Sequence, residues 1–148
     1  MIERVETEGA LRSLRGLLAE YEEDLPADLR HDEDDPHFDA AFLARFEDAY
    51  AGCVAVTVRD PATAILRHLY VRPAFRGRGA ARALSEAAIG FARECRCDRI
   101  VLDTEAQRLS AAAALYRSLG FIECEPYARV NYSNPTFMEL QLHEASSG

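Results

Sequence analysis

Between Ile65 and Phe91 the chain changes its periodicity once, and this switch limits the fold more than any other feature of the sequence. Ile65–Val71 is an apolar run of strand length, and Pro73 ends it. Gly77 and Gly79 follow, and then Ala80, Leu84, Ala87, Ala88 and Phe91 recur at the spacing of one helix face. A strand that passes through two glycines straight into a helix makes the first N–H groups of that helix converge, with the helix dipole behind them. Glycine lets such backbone approach an anion with no Cβ in the way. The stretch Pro61–Ser85 also carries Arg67, Arg72, Arg76, Arg78 and Arg82 and no Asp or Glu, inside a chain of net charge −8. The junction therefore reads as an anion cradle with arginine forks at its rim. A glycine turn with solvated arginines is the plainer alternative.

Ile2–Glu6 has the character of a short edge strand. Leu11, Leu14, Leu17, Leu18, Tyr21 and Leu25 then repeat at helical spacing up to Pro26. An acidic connector with Asp28, Asp32, Glu33, Asp34 and Asp35 follows, and Asp35-Pro36 suggests a cap and first turn. This predicts a second helix with Phe38, Phe42, Phe46 and Ala49 inward. Cys53–Val58 and Ile65–Val71, joined by the turn Arg59-Asp60-Pro61-Ala62, predict an antiparallel pair. Ile100–Leu102 is a short buried strand, and Ser110–Leu119 is a helix capped by Ser110 and stopped by Gly120. Phe121–Cys124 and Thr136–Leu142 are further strands, with Met138, Leu140 and Leu142 alternating inward. The order predicts one α/β (α+β) domain over residues 1–148, a mixed central sheet flanked by helices, with 143–148 a frayed tail.

Composition removes several classes of function. All 17 basic residues are arginine, so a Schiff-base lysine and a lysine-bearing phosphate loop are excluded. The acidic balance argues against nucleic acid as a partner. No apolar stretch approaches the roughly 18–20 residues of a membrane span, and MIERVETEG is not a signal pattern, so a cytoplasmic protein is expected. Cys53, Cys95, Cys97 and Cys124 match no zinc spacing. They read as free thiols in a reducing compartment, and no metal is assigned. A dinucleotide fold fits poorly, because Gly77-x-Gly79 follows a hairpin rather than an opening strand.

Val71-Arg72-Pro73-Ala74-Phe75-Arg76-Gly77-Arg78-Gly79-Ala80-Ala81-Arg82-Ala83-Leu84 resembles the acetyl-CoA motif of the GNAT superfamily of N-acetyltransferases. The signature Arg/Gln-x-x-Gly-x-Gly/Ala is met by Arg76, Gly79 and Ala81. A second family block follows in Leu102-Asp103-Thr104 and in Ala114-Leu115-Tyr116-Arg117-Ser118-Leu119-Gly120-Phe121, and the element order agrees along essentially the whole chain. The resemblance implies that acetyl-CoA is the co-substrate and that the parallel strands starting near Ile65 and Ile100 splay to admit its thioester. It implies that the backbone of Leu69, Tyr70 and Val71 pairs with the pantetheine arm. Main-chain amides of Arg76, Gly77, Arg78, Gly79, Ala80, Ala81 and Arg82 would hold the pyrophosphate. Tyr116 matches the family tyrosine near the CoA sulfur, where a phenol can protonate or hydrogen-bond the departing thiolate. Packing beside Leu115 and Leu119 is its alternative role.

The base that strips the acceptor amine is less legible. Many relatives place a Glu in the motif strand, where this chain has Ile65-Leu66-Arg67-His68. His68 is one candidate, since imidazole titrates near neutral pH. Asp103 and Glu105 are rivals, and a water chain is a fourth route. The acceptor pocket of such folds is built from the first helices, their connector and the last hairpin. This points to Tyr21, Asp103, Tyr127, Tyr132 and Asn134 as substrate contacts, and to a small amine, amino-acid-like or xenobiotic, as acceptor. A protein N-terminus or lysine, or a non-catalytic acyl-CoA sensor, are the competing readings. Homodimers are common in the family, but no exposed apolar stripe in this sequence demonstrates one.

Overall fold

The computed structural model describes residues 1–29, 38–130 and 132–142. Asp32, Glu33, Asp34, Asp35, Pro36 and the expected tail lie outside the described residues. Seven strands form one sheet in the order β1-β2-β3-β4-β5-β7-β6. In chain order they are β1 (Ile2–Arg4), β2 (Ala40–Phe46), β3 (Ala49–Asp60), β4 (Thr63–Val71), β5 (Arg99–Thr104), β6 (Ile122–Glu123) and β7 (Thr136–Gln141). Helices α1 (Glu8–Asp24), α2 (Ala80–Glu94) and α3 (Ser110–Ser118) are accompanied by short 3-10 turns at Ala27–Leu29 and Pro73–Phe75.

The apolar residues sort into two buried clusters, one for each face of the sheet. Leu14 and Leu17 of α1 pack with Ala41, Leu43, Cys53, Ala55 and Tyr70. Leu84, Ala88 and Ala92 of α2 and Tyr116 of α3 pack with Val54, Val56, Leu66, Ile100, Leu102 and Met138. Helix α1 starts where the Thr7 hydroxyl accepts the Ala10 N–H at 3.1 Å, and it ends at Leu25, ahead of Pro26.

One expectation is overturned. Residues 40–46 form a strand, not a helix, and β2 is paired on both edges, with β1 and with β3. A spacing of four residues fits one helical turn and also two pleats of a strand, so Phe38, Phe42 and Phe46 could not distinguish the two. The alternation that decides lies between them: Ala41 and Leu43 pack on the α1 face, whereas Phe42, Ala44 and Phe46 pack on the other. A smaller correction concerns α3. Leu109, not Ser110, holds the cap position, and no side chain caps that helix end. The turn before it is instead fixed by Glu105, whose carboxylate accepts the Arg108 N–H at 2.7 Å and whose carbonyl accepts the Leu109 N–H at 2.8 Å.

The only parallel pair among the described strands is β4–β5, and it is short. Thr63, Ala64 and Ile65 pair with Arg99, Ile100 and Val101, and there the ladder stops. Beyond that point β4 stays on β3 as far as Val71↔Gly52, and β5 stays on β7 as far as Thr104↔Thr136. Each strand is thus held by its outer neighbour while the two part. The cause is visible in β4. Cys53 pairs with Tyr70 and Ala55 with Arg67, so Val54 alone opposes His68 and Leu69. His68 takes φ 55°, the left-handed region, as the extra residue of a β-bulge. A bulge bends its strand and raises the local twist.

Candidate active site

The carboxyl end of β4 leads through the turn Pro73–Phe75 into α2. Gly77 and Gly79 have φ 81° and 83°, and nothing lies within 4 Å of the place a Cβ would occupy on either. Backbone conformation, not crowding, requires glycine there, and the space above both is open to a ligand. The first helical bond runs from the Ala83 N–H to the Gly79 carbonyl at 3.0 Å. The N–H groups of Ala80, Ala81 and Arg82 therefore have no acceptor inside the helix and face the open end. The Arg76 amide differs, donating to the Pro73 carbonyl at 3.3 Å within the turn.

The arginines do less for the anion than their number suggests. Arg72 is a structural clamp, giving Nε and Nη2 to the two oxygens of Glu20 at 2.9 and 2.6 Å and Nη1 to the Tyr50 carbonyl at 3.0 Å. That bond to Arg72 holds the Glu20 carboxyl below its ordinary value. Arg76 donates Nε to the Val71 carbonyl at 3.0 Å and lies 3.6 Å from Asp24. Arg78 lies over the stacked rings of Phe75 and Phe46, 5.7 and 5.9 Å from their centroids. Arg82 reaches the Ser118 hydroxyl at 2.6 Å and ties α2 to α3. A surface hollow lined by Phe46, Glu47, Asp48, Ala49, Phe75 and Arg78 borders this cradle.

On the α1 side of the β4–β5 gap a second group of side chains meets. Asp103 stands two residues past the last β4–β5 pair, half-buried. Its Oδ1 accepts the Tyr127 hydroxyl at 2.8 Å and its Oδ2 accepts the Tyr132 hydroxyl at 2.6 Å. Tyr127 is set by an edge contact with Phe137 (5.3 Å), by the Arg59 guanidinium over its ring, and by Arg59 Nη1 donating to its carbonyl. Burial, reinforced by the Asp103 charge, pushes the phenols of Tyr127 and Tyr116 well above the ordinary tyrosine range. Burial does the same for Tyr132, helped by its hydrogen bond to Asp103. It also raises Tyr21, on which the carboxylates of Glu22 and Asp103 bear as well. All four stay protonated at neutral pH and so remain O–H donors.

Asp103, Tyr127 and Tyr132 are thus brought together from β5 and the segment before β7, with Tyr21 of α1 within electrostatic reach, whereas Tyr116 lies in the core under α2 with its ring 5.8 Å from that of Phe121. Asn134 is not part of this group. It is exposed at φ 58° in the turn that enters β7. His68 is 8% exposed, its ring enclosed by Tyr21 (5.9 Å) and Phe38 (5.5 Å). Glu105 is 3% exposed and engaged by Arg108, which also grips Asp28 at 2.8 and 3.0 Å. Cys53 lies beside the bulge with its thiol toward the His68 carbonyl at 3.6 Å, and burial pushes it up to about 12. A protonated thiol is a poor nucleophile. Among the described residues no three His, Cys, Asp or Glu are grouped to hold a metal. Residues the sequence did not single out are Arg59, which anchors the Tyr127 segment, and Glu20, which neutralises Arg72. Neither carries a motif signal, since each acts through a partner distant in the chain.

A parallel pair thus parts beside a helix N-terminus whose first amides are open, the arrangement that the resemblance in the sequence implies. The acetyltransferase (GNAT) family model matches residues 9–121, and the chain belongs to that family. An uncharacterized N-acetyltransferase of Dictyostelium discoideum is 38% identical over 78 residues, covering 52% of this chain and 36% of that protein. An uncharacterized N-acetyltransferase of Schizosaccharomyces pombe is 35% identical over 102 residues, covering 68% of this chain and 62% of that one. The chain thus matches less than two thirds of the length of either relative. Among solved structures, a candidate acetyltransferase of Salmonella typhimurium with its cofactor acetyl-CoA superposes with a TM-score of 0.76 at 20% identity, covering 99% of this chain and 96% of that one. Among the described residues no helix is long and apolar enough to cross a membrane.

Proposed function

We propose that this chain transfers an acetyl group from acetyl-CoA to the primary amine of a small molecule by direct attack on the thioester. The observation that carries the reading is the β4–β5 gap, which has the α2 N-terminus at one end and the Asp103–tyrosine cluster at the other. Past Ile65 the edge of β4 facing β5 has no strand partner, so Leu69, Tyr70 and Val71 can pair with the amides of a pantetheine arm as an added strand would. The open amides of Ala80, Ala81 and Arg82, with Gly77 and Gly79, suit the pyrophosphate.

In the reaction the amine lone pair attacks the thioester carbonyl carbon. The C–N bond forms, the C–S bond breaks, and the thiolate takes a proton. Tyr116, buried and kept neutral beside the gap, is suited to donate that proton. Of the candidate bases, His68 is enclosed by two rings and Glu105 is engaged by Arg108, whereas Asp103 stands half-exposed in the cluster. The proton leaving nitrogen passes to water at the Asp103 carboxylate. Aligning amine and thioester in the gap supplies the entropic part of the acceleration. A small acceptor is favoured over a polypeptide because the segment carrying Tyr127 and Tyr132 is fastened across this side, through Asp103 and Arg59.

The test is release of free CoA thiol from acetyl-CoA with a panel of small amines, set against peptides with free N-termini or lysines. Turnover with small amines alone supports the proposal. Turnover with peptides alone replaces the acceptor class, and tight acetyl-CoA binding with no turnover refutes catalysis.

A further inference from the structure

The Asp103 cluster carries a sharper statement about the acceptor, one that rests on the acetyl-transfer reading. A carboxylate offers about four lone-pair positions, and two here are taken by tyrosine hydroxyls, one on each oxygen. The remaining positions belong to a half-buried group, two residues beyond the point where β4 and β5 part. The groups that touch it are the neutral phenols of Tyr127 and Tyr132, with Tyr21 of α1 within electrostatic reach, Arg67 bearing on Tyr127 from β4 and the Arg59 guanidinium over the Tyr127 ring. A single anion walled by aromatic rings and fixed from behind by two donors is the chemistry of an alkylammonium site. It combines a charge-assisted hydrogen bond with cation–π contact.

We infer that Asp103 is the ammonium anchor of the acceptor site, and that the acceptor is an alkylamine bound as its cation, which gives one proton to solvent water before its lone pair attacks and the second as the C–N bond forms. Arylamines, which are neutral at physiological pH, are then poor acceptors. Tyr127 and Tyr132 act through Asp103 as positioning residues, holding its two oxygens so that the free positions point along the gap.

The experiment is the apparent KM for an aliphatic amine between pH 7 and 9, in the wild type and in Asp103→Asn, with acetyl-CoA saturating. Binding of the cation keeps the wild-type KM flat below the amine's own pKa. Binding of the neutral form makes it fall about tenfold per pH unit, and that outcome overturns the inference. Asp103→Asn should raise the amine KM about 10- to 100-fold and leave the KM for acetyl-CoA unchanged. Tyr127→Phe and Tyr132→Phe should raise it by smaller factors. An unchanged amine KM in Asp103→Asn refutes the anchor even when acetyl transfer is intact. If no amine is acetylated, the proposed function fails by itself. The anchor is then read from calorimetric binding of methylammonium to the acetyl-CoA-loaded protein, where loss of binding in Asp103→Asn supports it and equal binding refutes it.

Discussion

Replacing Gly79 by Ala separates two roles that the same residue carries. Gly79 sits at φ 83° with nothing within 4 Å of the new Cβ, so the substitution meets no clash and costs only the left-handed backbone of an L-residue. That cost is about 1–2 kcal/mol, which for a domain of this size lowers Tm by about 2–8 °C. If the loop relieves the strain by leaving the left-handed region, the amides of Ala80–Arg82 no longer converge. If it does not, the methyl projects into the space where a phosphate would approach. Either way a charge-assisted hydrogen bond is weakened, and the Kd for acetyl-CoA should rise about 10- to 100-fold. Gly120→Ala is the control. It has φ 103° and a Cβ position 3.2 Å from the flexible Leu140 Cδ1, so it should show a comparable stability loss. It lies outside the cradle and should leave the Kd unchanged. Calorimetric titration with acetyl-CoA, paired with thermal melts, reads both quantities. A Gly79→Ala protein that melts early but binds acetyl-CoA within twofold of the wild type would refute the amide cradle.

Three further outcomes follow from single contacts. Tyr116→Phe should lower kcat about 100-fold with little change in either KM, measured by thiol release; an unchanged kcat would remove Tyr116 from the chemistry. Glu20 has its carboxyl held below the ordinary 4.5 by Arg72, so the pair stabilises the fold above that pH, and the contribution is lost as pH falls through the lowered value. Both side chains are 38% exposed, so screening keeps the effect small, but Glu20→Gln should melt lower at neutral pH and show a shallower acid-side decline than wild type. Parallel melting curves against pH would count against this. Gly52→Ala places a Cβ against the Tyr70 carbonyl and the Val71 Cα, backbone atoms that cannot swing aside, and should cost about 1–3 kcal/mol while weakening acetyl-CoA binding. Loss of stability without loss of binding would show that the Tyr70–Val71 edge is not used by the carrier.

The junction from β4 to α2 was legible because its evidence is local: a strand, a proline, two glycines and a helix follow one another within thirty residues. The helix expected over Phe38–Ala49 failed because its evidence was a spacing of four, which does not choose between periods, and only pairing with β1 and β3 settles it. Arg72 and Arg82 read as rim forks because their partners are remote in the chain. Glu20 and Arg72 are 52 positions apart, and Arg82 and Ser118 are 36 apart. The Asp103 cluster was not legible in its geometry. Tyr127 and Tyr132 stand out in the sequence as loop tyrosines, but their hydroxyls reach Asp103 from 24 and 29 residues away. Asn134 drew attention by composition, and its place is a turn residue tolerant of positive φ.

The bulge at His68 explains why one strand serves both layers of the site. Before it, Ala64 and Leu66 point into the core beneath α2, and after it Leu69 and Val71 do so, while Tyr70 has turned to the α1 face. The even-numbered positions change sides across a single extra residue, as a two-residue repeat requires when one residue is inserted. An unbroken strand would send Tyr70 into the α2 core and Leu69 and Val71 away from it. With the bulge, Tyr70 meets Tyr21 at 5.7 Å and faces the Glu20–Arg72 clamp, while Val71 seats the start of the turn whose Arg76 returns to its carbonyl. The same insertion bends β4 away from β5, which stays on β7, and so opens the gap at Ile65. The left-handed strain at His68, of order 1–3 kcal/mol, is thus offset by packing on both faces, and it buries the His68 ring between Tyr21 and Phe38. On this account the backbone of His68 sets the course of β4, while its ring is enclosed and Asp103 of β5 stands half-buried past the point where the two strands part.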